Sequence, residues 1–431
     1  MPRARAPFVV WQRLTFATLL IGYMGYYLCR QNFAVAIAPM SAALGLDKIV
    51  FGTVASVGTL LYAAGKFATG AVADERGGRL AFLVGLWGSV AASLFFGAGT
   101  GVGVFFVAWG ANRLFQSMGW AGLVNVLAHW FPRRQYGTAM GLMTISYQFG
   151  GAVALGFAGL LLKWGAGWRG LFGWPALALA VIGVGATLAL RADPRDVGHA
   201  LPDEPGTDAP SAPTAAAAHV EARTTYGERF GFLLRQPAFL VMCALSFVLT
   251  FLRECFSLWM PDYFAELGAA ASTAAFKSAV FPLLGCLGTL AAGWYSDRHL
   301  SGRRTPIIAA SLGALTLALA GLALLAPLAR ATGLLPGTLA VVLVGAAGFF
   351  LLAPYSMVGG GVVALDFGGR KTAGTAAGLL DGVGYFAASA AGYAVAKIVV
   401  VGGWPLAYGL MAGLSFVSVA TCLALMRVSR A

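Results

Sequence analysis

Three basic residues stand inside stretches that are otherwise apolar: Arg30, in the run from Leu14 to Pro39, Lys66 and Arg253. A guanidinium or ammonium in hydrocarbon is costly unless it faces a polar cavity or a partner, so each is a candidate site residue. Arginine keeps its charge and offers a planar fork of donors matched to phosphate or carboxylate. The spacing Gly65, Gly70, Asp74 recurs as Gly288, Gly293, Asp297, an offset of 223 from position 65 to position 288, and the same offset carries Arg30 onto Arg253. Two forks on repeat-related helices, facing one cavity with no fixed partner of equal charge, would cage a multiply charged anion. Lys66 adds a third positive charge. Tyr62 lies four residues before Lys66, and Tyr23 and Tyr27 lie seven and three before Arg30, on the same helix faces. Their phenols can donate to an oxyanion. Taken singly, an arginine could instead bond helix carbonyls, and the tyrosines could be packing or interfacial residues.

Three more charges fall in apolar segments. Glu254 adjoins Arg253, about 100° round a helix. It is either a partner for Arg113 or another cation, or a group that binds an amine or carries a proton. Asp381 has no Lys or Arg at 377, 378, 384 or 385; it either lines the cavity, in reach of substrate hydroxyls, or is structural. Arg113, in Arg-x-x-Gln-x-x-Gly, reads as structural.

Helices in a bilayer must position these groups. The chain has 431 residues, 59% hydrophobic and 10% charged, against roughly 25% charged in a soluble domain. Long apolar runs in place of ten-residue alternation exclude an outer-membrane barrel. Twelve runs have spanning length: 13–39, 50–73, 80–99, 102–128, 137–162, 168–190, 238–264, 273–295, 305–328, 335–364, 373–397 and 403–427. The polar stretch 191–237 divides the chain into six-span halves, 1–190 and 238–431. The expected fold is an all-α membrane protein of two pseudo-symmetric six-helix bundles, with parallel repeats and the site at their interface, the architecture of the major facilitator superfamily.

Of the 29 Lys and Arg, 19 fall on the side of both termini, 6 on the other and four inside spans, which predicts cytoplasmic termini. The net charge of +13 is thereby a matter of topology, with no nucleic acid partner expected. The first apolar run is too long for a cleaved signal. The five cysteines lack CxxC spacing and read as small apolar residues. The four histidines, His129, His199, His219 and His299, fall in loops, the linker or a helix end, so no metal is expected. Asp74 with Arg76, and Asp297 with Arg298, sit at helix ends and read as gating pairs, able to bridge helices in one conformation and release them in another.

Tyr26-Tyr27-Leu28-Cys29-Arg30-Gln31-Asn32-Phe33 resembles the first-helix signature of the organophosphate:phosphate antiporters, a family that includes glycerol-3-phosphate, hexose-phosphate and phosphoglycerate transporters. The likeness covers nearly the whole chain, through Tyr62–Phe67, Phe115–Trp120, His129–Phe131, Phe251–Arg253, Gly293–Asp297 and Gly374–Gly378. It implies that Arg30 and Arg253 bind the phosphate group, that Lys66 shares their pocket, and that a small organophosphate enters in exchange for inorganic phosphate by rocking of the halves. The implied setting is the bacterial cell inner membrane, as a multi-pass monomer without cofactors. The chain departs from the family at Gln31, where many members have lysine, at Glu254, where some have tyrosine, and at Tyr147, where the glycerol-phosphate branch has histidine. Leu258 and Pro282 stand where that branch has carboxylates, whereas Tyr385 keeps a family aromatic. Two other readings stay open: a proton-coupled carrier of a zwitterionic phosphonate or other organic anion, and a sugar-phosphate sensor that does not transport. With no phosphate-loop motif and no nucleophile–base set, an enzyme is not expected.

Overall fold

In hydrocarbon a backbone must satisfy its own N–H and C=O groups, so the apolar runs fold as helices. The computed structural model describes residues 7–200, 202, 233–299, 305–359 and 362–428, without the side chains of 67, 68, 70–74, 133, 134, 137, 297, 359, 362–378 and 424–428. Most of the 191–237 linker thus lies outside the described residues.

The first half contains α1 (Phe8–Tyr26), α2 (Leu28–Leu44), α3 (Lys48–Arg76), α4 (Gly78–Ala98), α5 (Val102–Trp130), α6 (Arg133–Lys163) and α7 (Gly170–Ala189). A 3-10 turn, Pro194–Val197, follows, capped by Asp193, whose carboxylate takes hydrogen bonds from the Arg195 side chain and is held below its ordinary pKa by them. The second half contains α8 (Pro237–Glu266), α9 (Ala271–Ser278), α10 (Val280–His299), α11 (Thr305–Ala323), α12 (Leu325–Thr332), α13 (Pro336–Gly359) and α14 (Val362–Val428). With α1–α2, α9–α10 and α11–α12 each counted as one broken span and α14 as two, the described helices match the twelve expected spans.

The first expected span, 13–39, is two helices. Its ladder breaks at Tyr27, whose N–H bonds the Met24 carbonyl at 3.1 Å. The Gln116 amide, from α5, donates to the carbonyls of Tyr26 (3.4 Å) and Cys29 (3.0 Å). A side chain inserted into the ladder is a sufficient cause for such a break. Arg30 sits one turn beyond it.

The eleventh and twelfth spans are hydrogen-bonded without a gap. Their reversal is plain from α8, which meets Leu380 at Ser246, Ala391 at Trp259 and Trp404 at Glu266, then Tyr408 back at Tyr263. The turn falls at Gly403, whose φ of 71° suits glycine, two residues before Pro405.

The halves close on each other at the end of the molecule remote from Phe8. The Lys48 ammonium, at the start of α3, bonds Asp262 at 3.0 Å and also Glu266, both at the end of α8. One turn on, the backbones of Gly52 and Gly392 touch, leaving no room for a Cβ on either, and the Tyr393 N–H donates to Ser56 at 2.9 Å. Small residues let these spans approach so closely.

Candidate functional site

Arg30 (α2), Lys66 (α3), Arg113 (α5), Arg253 and Glu254 (α8), and Asp381 (α14) converge at mid-depth between the halves. Arg30, Arg113 and Arg253 are 9%, 2% and 5% exposed. The first cavity is lined by Arg30, Gln31, Arg113, Arg253 and Glu254, with Leu258 on its wall. A second is lined by Lys66, Asp381 and an aromatic set: Tyr23, Tyr27, Tyr62, Tyr147, Tyr355 and Tyr385. Tyr27 and Arg253 line both.

Two of the four cations have carboxylate partners from the opposite half, and a third has one beside it. Arg113 donates to Glu254 Oε1 at 3.3 Å and to Thr59 at 3.1 Å. Arg253 donates to Glu254 Oε2 at 3.1 Å. Lys66 is ion-paired with Asp381. The expectation of two arginines without a charged partner is therefore corrected for Arg253: Glu254, one residue on, folds back onto its guanidinium. Of the two readings of Glu254, a partner for Arg113 is the one the geometry displays. Asp381 has no Lys or Arg at 377, 378, 384 or 385 on its own helix, and Lys66 reaches it from α3.

Arg30 differs from the other three in having no carboxylate partner among the described residues. Its guanidinium lies 5.4 Å from the Tyr27 ring centroid and 4.8 Å from that of Tyr62. Donors remain unused around the first cavity: Arg30 Nη2, Arg113 Nε and Arg253 Nε are buried with no hydrogen-bond partner. Buried donors without acceptors are costly, and a ligand that accepts from them would relieve that cost. Counted over both cavities, Arg30, Lys66, Arg113 and Arg253 against Glu254 and Asp381 leave two surplus positive charges.

Tyr62 and Tyr385 meet across the halves with ring centroids 4.8 Å apart. Tyr62 is within cation–π reach of Arg30 and Arg113, at the first cavity, and of Lys66, at the second. Tyr385 contacts Lys66 at 4.8 Å and Arg253 at 5.9 Å. Tyr23 packs on Tyr27 and Trp120, and Tyr147 stands between Tyr27 and Tyr355. Each tyrosine singled out in the sequence lines the second cavity. Tyr355, 4.8 Å from Arg253, was not foreseen, because its span, 335–364, carries no charged residue to give it a spacing. Pro282 is buried. The Asp74 and Asp297 side chains lie outside the described residues; Arg76 is exposed, and Arg298 lies 5.8 Å from the Trp294 ring.

A family model described as Major Facilitator Superfamily matches residues 19–392. A probable hexose phosphate transport protein of Chlamydia pneumoniae is 29% identical over 405 residues, 91% of this chain and 86% of that one. The glycerol-3-phosphate transporter of Bacillus subtilis is 29% identical, over 89% and 85% of the two chains. A membrane sensor protein of Salmonella typhimurium is 28% identical, over 69% and 67%. These names are those of the organophosphate:phosphate antiporter branch that the motifs resemble. A crystal structure of a POT family transporter with a thioalcohol-conjugated peptide superposes with TM-score 0.74 at 14% identity, covering 96% of each chain, a likeness of fold alone. The chain belongs to the Major Facilitator Superfamily.

Proposed function

We propose that this major facilitator carries a small phosphate ester across the membrane in exchange for inorganic phosphate. The observation that carries the reading is the buried cluster with two surplus positive charges and unused guanidinium donors on Arg30 and Arg253. A phosphate monoester dianion supplies the matching charge and acceptor oxygens. In this reading the phosphate bridges Arg30 and Arg253, which come from opposite halves, and so draws the halves together. The organic part lies in the second cavity, among Tyr23, Tyr27, Tyr62, Tyr147 and Tyr385, beside the Lys66–Asp381 pair. Asp74, Arg76, Asp297 and Arg298 act as gates at the face of both termini, which is cytoplasmic, and the carrier works as a monomer in a bacterial inner membrane.

Counterflow tests this directly. Proteoliposomes loaded with labelled phosphate should release label when an external phosphate ester is added and retain it otherwise. Release that is independent of any external phosphate compound would refute exchange. The likeness to a named sensor favours one second reading, in which the chain binds the ester and signals; that version predicts ligand binding with no flux. A zwitterion carrier with Glu254 as the amine ligand is disfavoured, since both Glu254 oxygens already accept from guanidinium groups.

A further inference from the structure

We infer that Glu254 sets the charge of the substrate: it acts as a built-in counter-anion that tunes the site to dianions and against trianions. This rests on the phosphate-ester reading above. Glu254 is 9% exposed, and its two oxygens are held from opposite halves of the molecule, by Arg113 at 3.3 Å and Arg253 at 3.1 Å. It therefore occupies one edge of Arg253, while the Nε of that side chain and the Nη2 of Arg30 are buried with no hydrogen-bond partner. Among the described residues, the charged groups facing the two cavities are Arg30, Lys66, Arg113, Arg253, Glu254 and Asp381. Lys66 and Asp381 neutralise each other, and Glu254 cancels one of the three arginines.

A dianionic ester leaves the occupied site neutral. An ester that carries a carboxylate besides its phosphate brings a third negative charge into a buried, low-dielectric space, where an uncompensated charge is strongly disfavoured. Without the Glu254 carboxylate the surplus becomes three, and the third charge gains a counterpart. Arg113 is the other side of the same balance: removing it together with Glu254 restores the surplus of two.

Glycerol 3-phosphate and 3-phosphoglycerate test this, being close in size and different by one charge. Uptake of each label is measured in proteoliposomes, and the ratio of apparent kcat/KM values is compared. Wild type should prefer the dianion. Glu254→Gln should move the ratio toward the trianion by about tenfold or more, and the double variant Glu254→Gln/Arg113→Gln should move it back. A ratio unchanged in Glu254→Gln, or a shift that the double variant does not reverse, overturns the inference. Should the single variant transport nothing, ligand-dependent thermal stabilisation of the purified protein gives the same ratio, and an unchanged ratio there overturns it equally. Failure of the parent reading looks different: wild type would take up or bind neither ester.

Discussion

Lys66, on α3 of the first half, and Asp381, on α14 of the second, form an ion pair whose ammonium also sits 4.8 Å from the ring of Tyr385. Their side chains are 18% and 28% exposed, so the pair spans the inter-half gap beside the cavity while largely shielded from water. Breaking one partner of such a pair leaves the other uncompensated. Lys66→Met and Asp381→Asn should each reduce uptake severely. The double variant should recover part of the loss, with a coupling of about 1–3 kcal/mol in a double-mutant cycle read by thermal stability. Additive losses would show that the pair is not coupled.

Arg30→Lys and Arg253→Lys should each lower phosphate-ester uptake by about 100-fold or more, because a point charge cannot replace a planar fork with donors in fixed directions. Arg30 is the sharper case, since among the described residues it holds no carboxylate that would persist after substitution. Near-normal uptake by either variant in proteoliposomes would exclude bidentate phosphate binding at that residue.

Lys48 holds the closed end by its bonds to Asp262 and Glu266, partly in water. Exposed or half-exposed pairs contribute about 1 kcal/mol, and losing that much changes an open-to-closed ratio roughly fivefold. Lys48→Ala should therefore raise the population open at that end. Spin labels at the exposed Gly101 and Leu335, one on each half, would read it as a longer distance component; an unchanged distribution would count against a latch.

Gly52 and Gly392 offer a steric counterpart. A Cβ on Gly52 meets the carbonyl of Gly392, and the reverse holds too. Gly52→Val should wedge this end apart and lower exchange at least tenfold with little loss of expression, as backbone in contact with backbone has no room to yield. Normal exchange in that variant would mean that closure here is not part of the cycle.

The charges that matter are visible in the sequence because hydrocarbon makes them conspicuous, and the repeat ties Arg30 to Arg253. The pairing among them was less visible. Glu254 might have faced Arg113 or another cation, and only the rotation of α8 against α5 decides. Asp381 found its partner in another helix, where i, i+4 spacing has no bearing. Gly25 stands two residues before the break at Tyr27, but the Gln116 amide that enters the ladder there arrives from α5. Tyr355 was silent for the same reason: the cation it contacts, Arg253, is on α8. Contacts between helices, not along them, were what the sequence did not display.

The surplus of two positive charges in the cluster has an electrical consequence. On the proposed reading, a site holding a dianion is neutral, so the membrane voltage does no work on it as the halves rock. An empty site keeps its two charges, and each costs about 2.3 kcal/mol for every 100 mV of field it crosses. One-for-one swapping of dianions would then run at the same rate whatever the voltage, whereas the return of an unloaded carrier would be the step that a voltage accelerates or holds back.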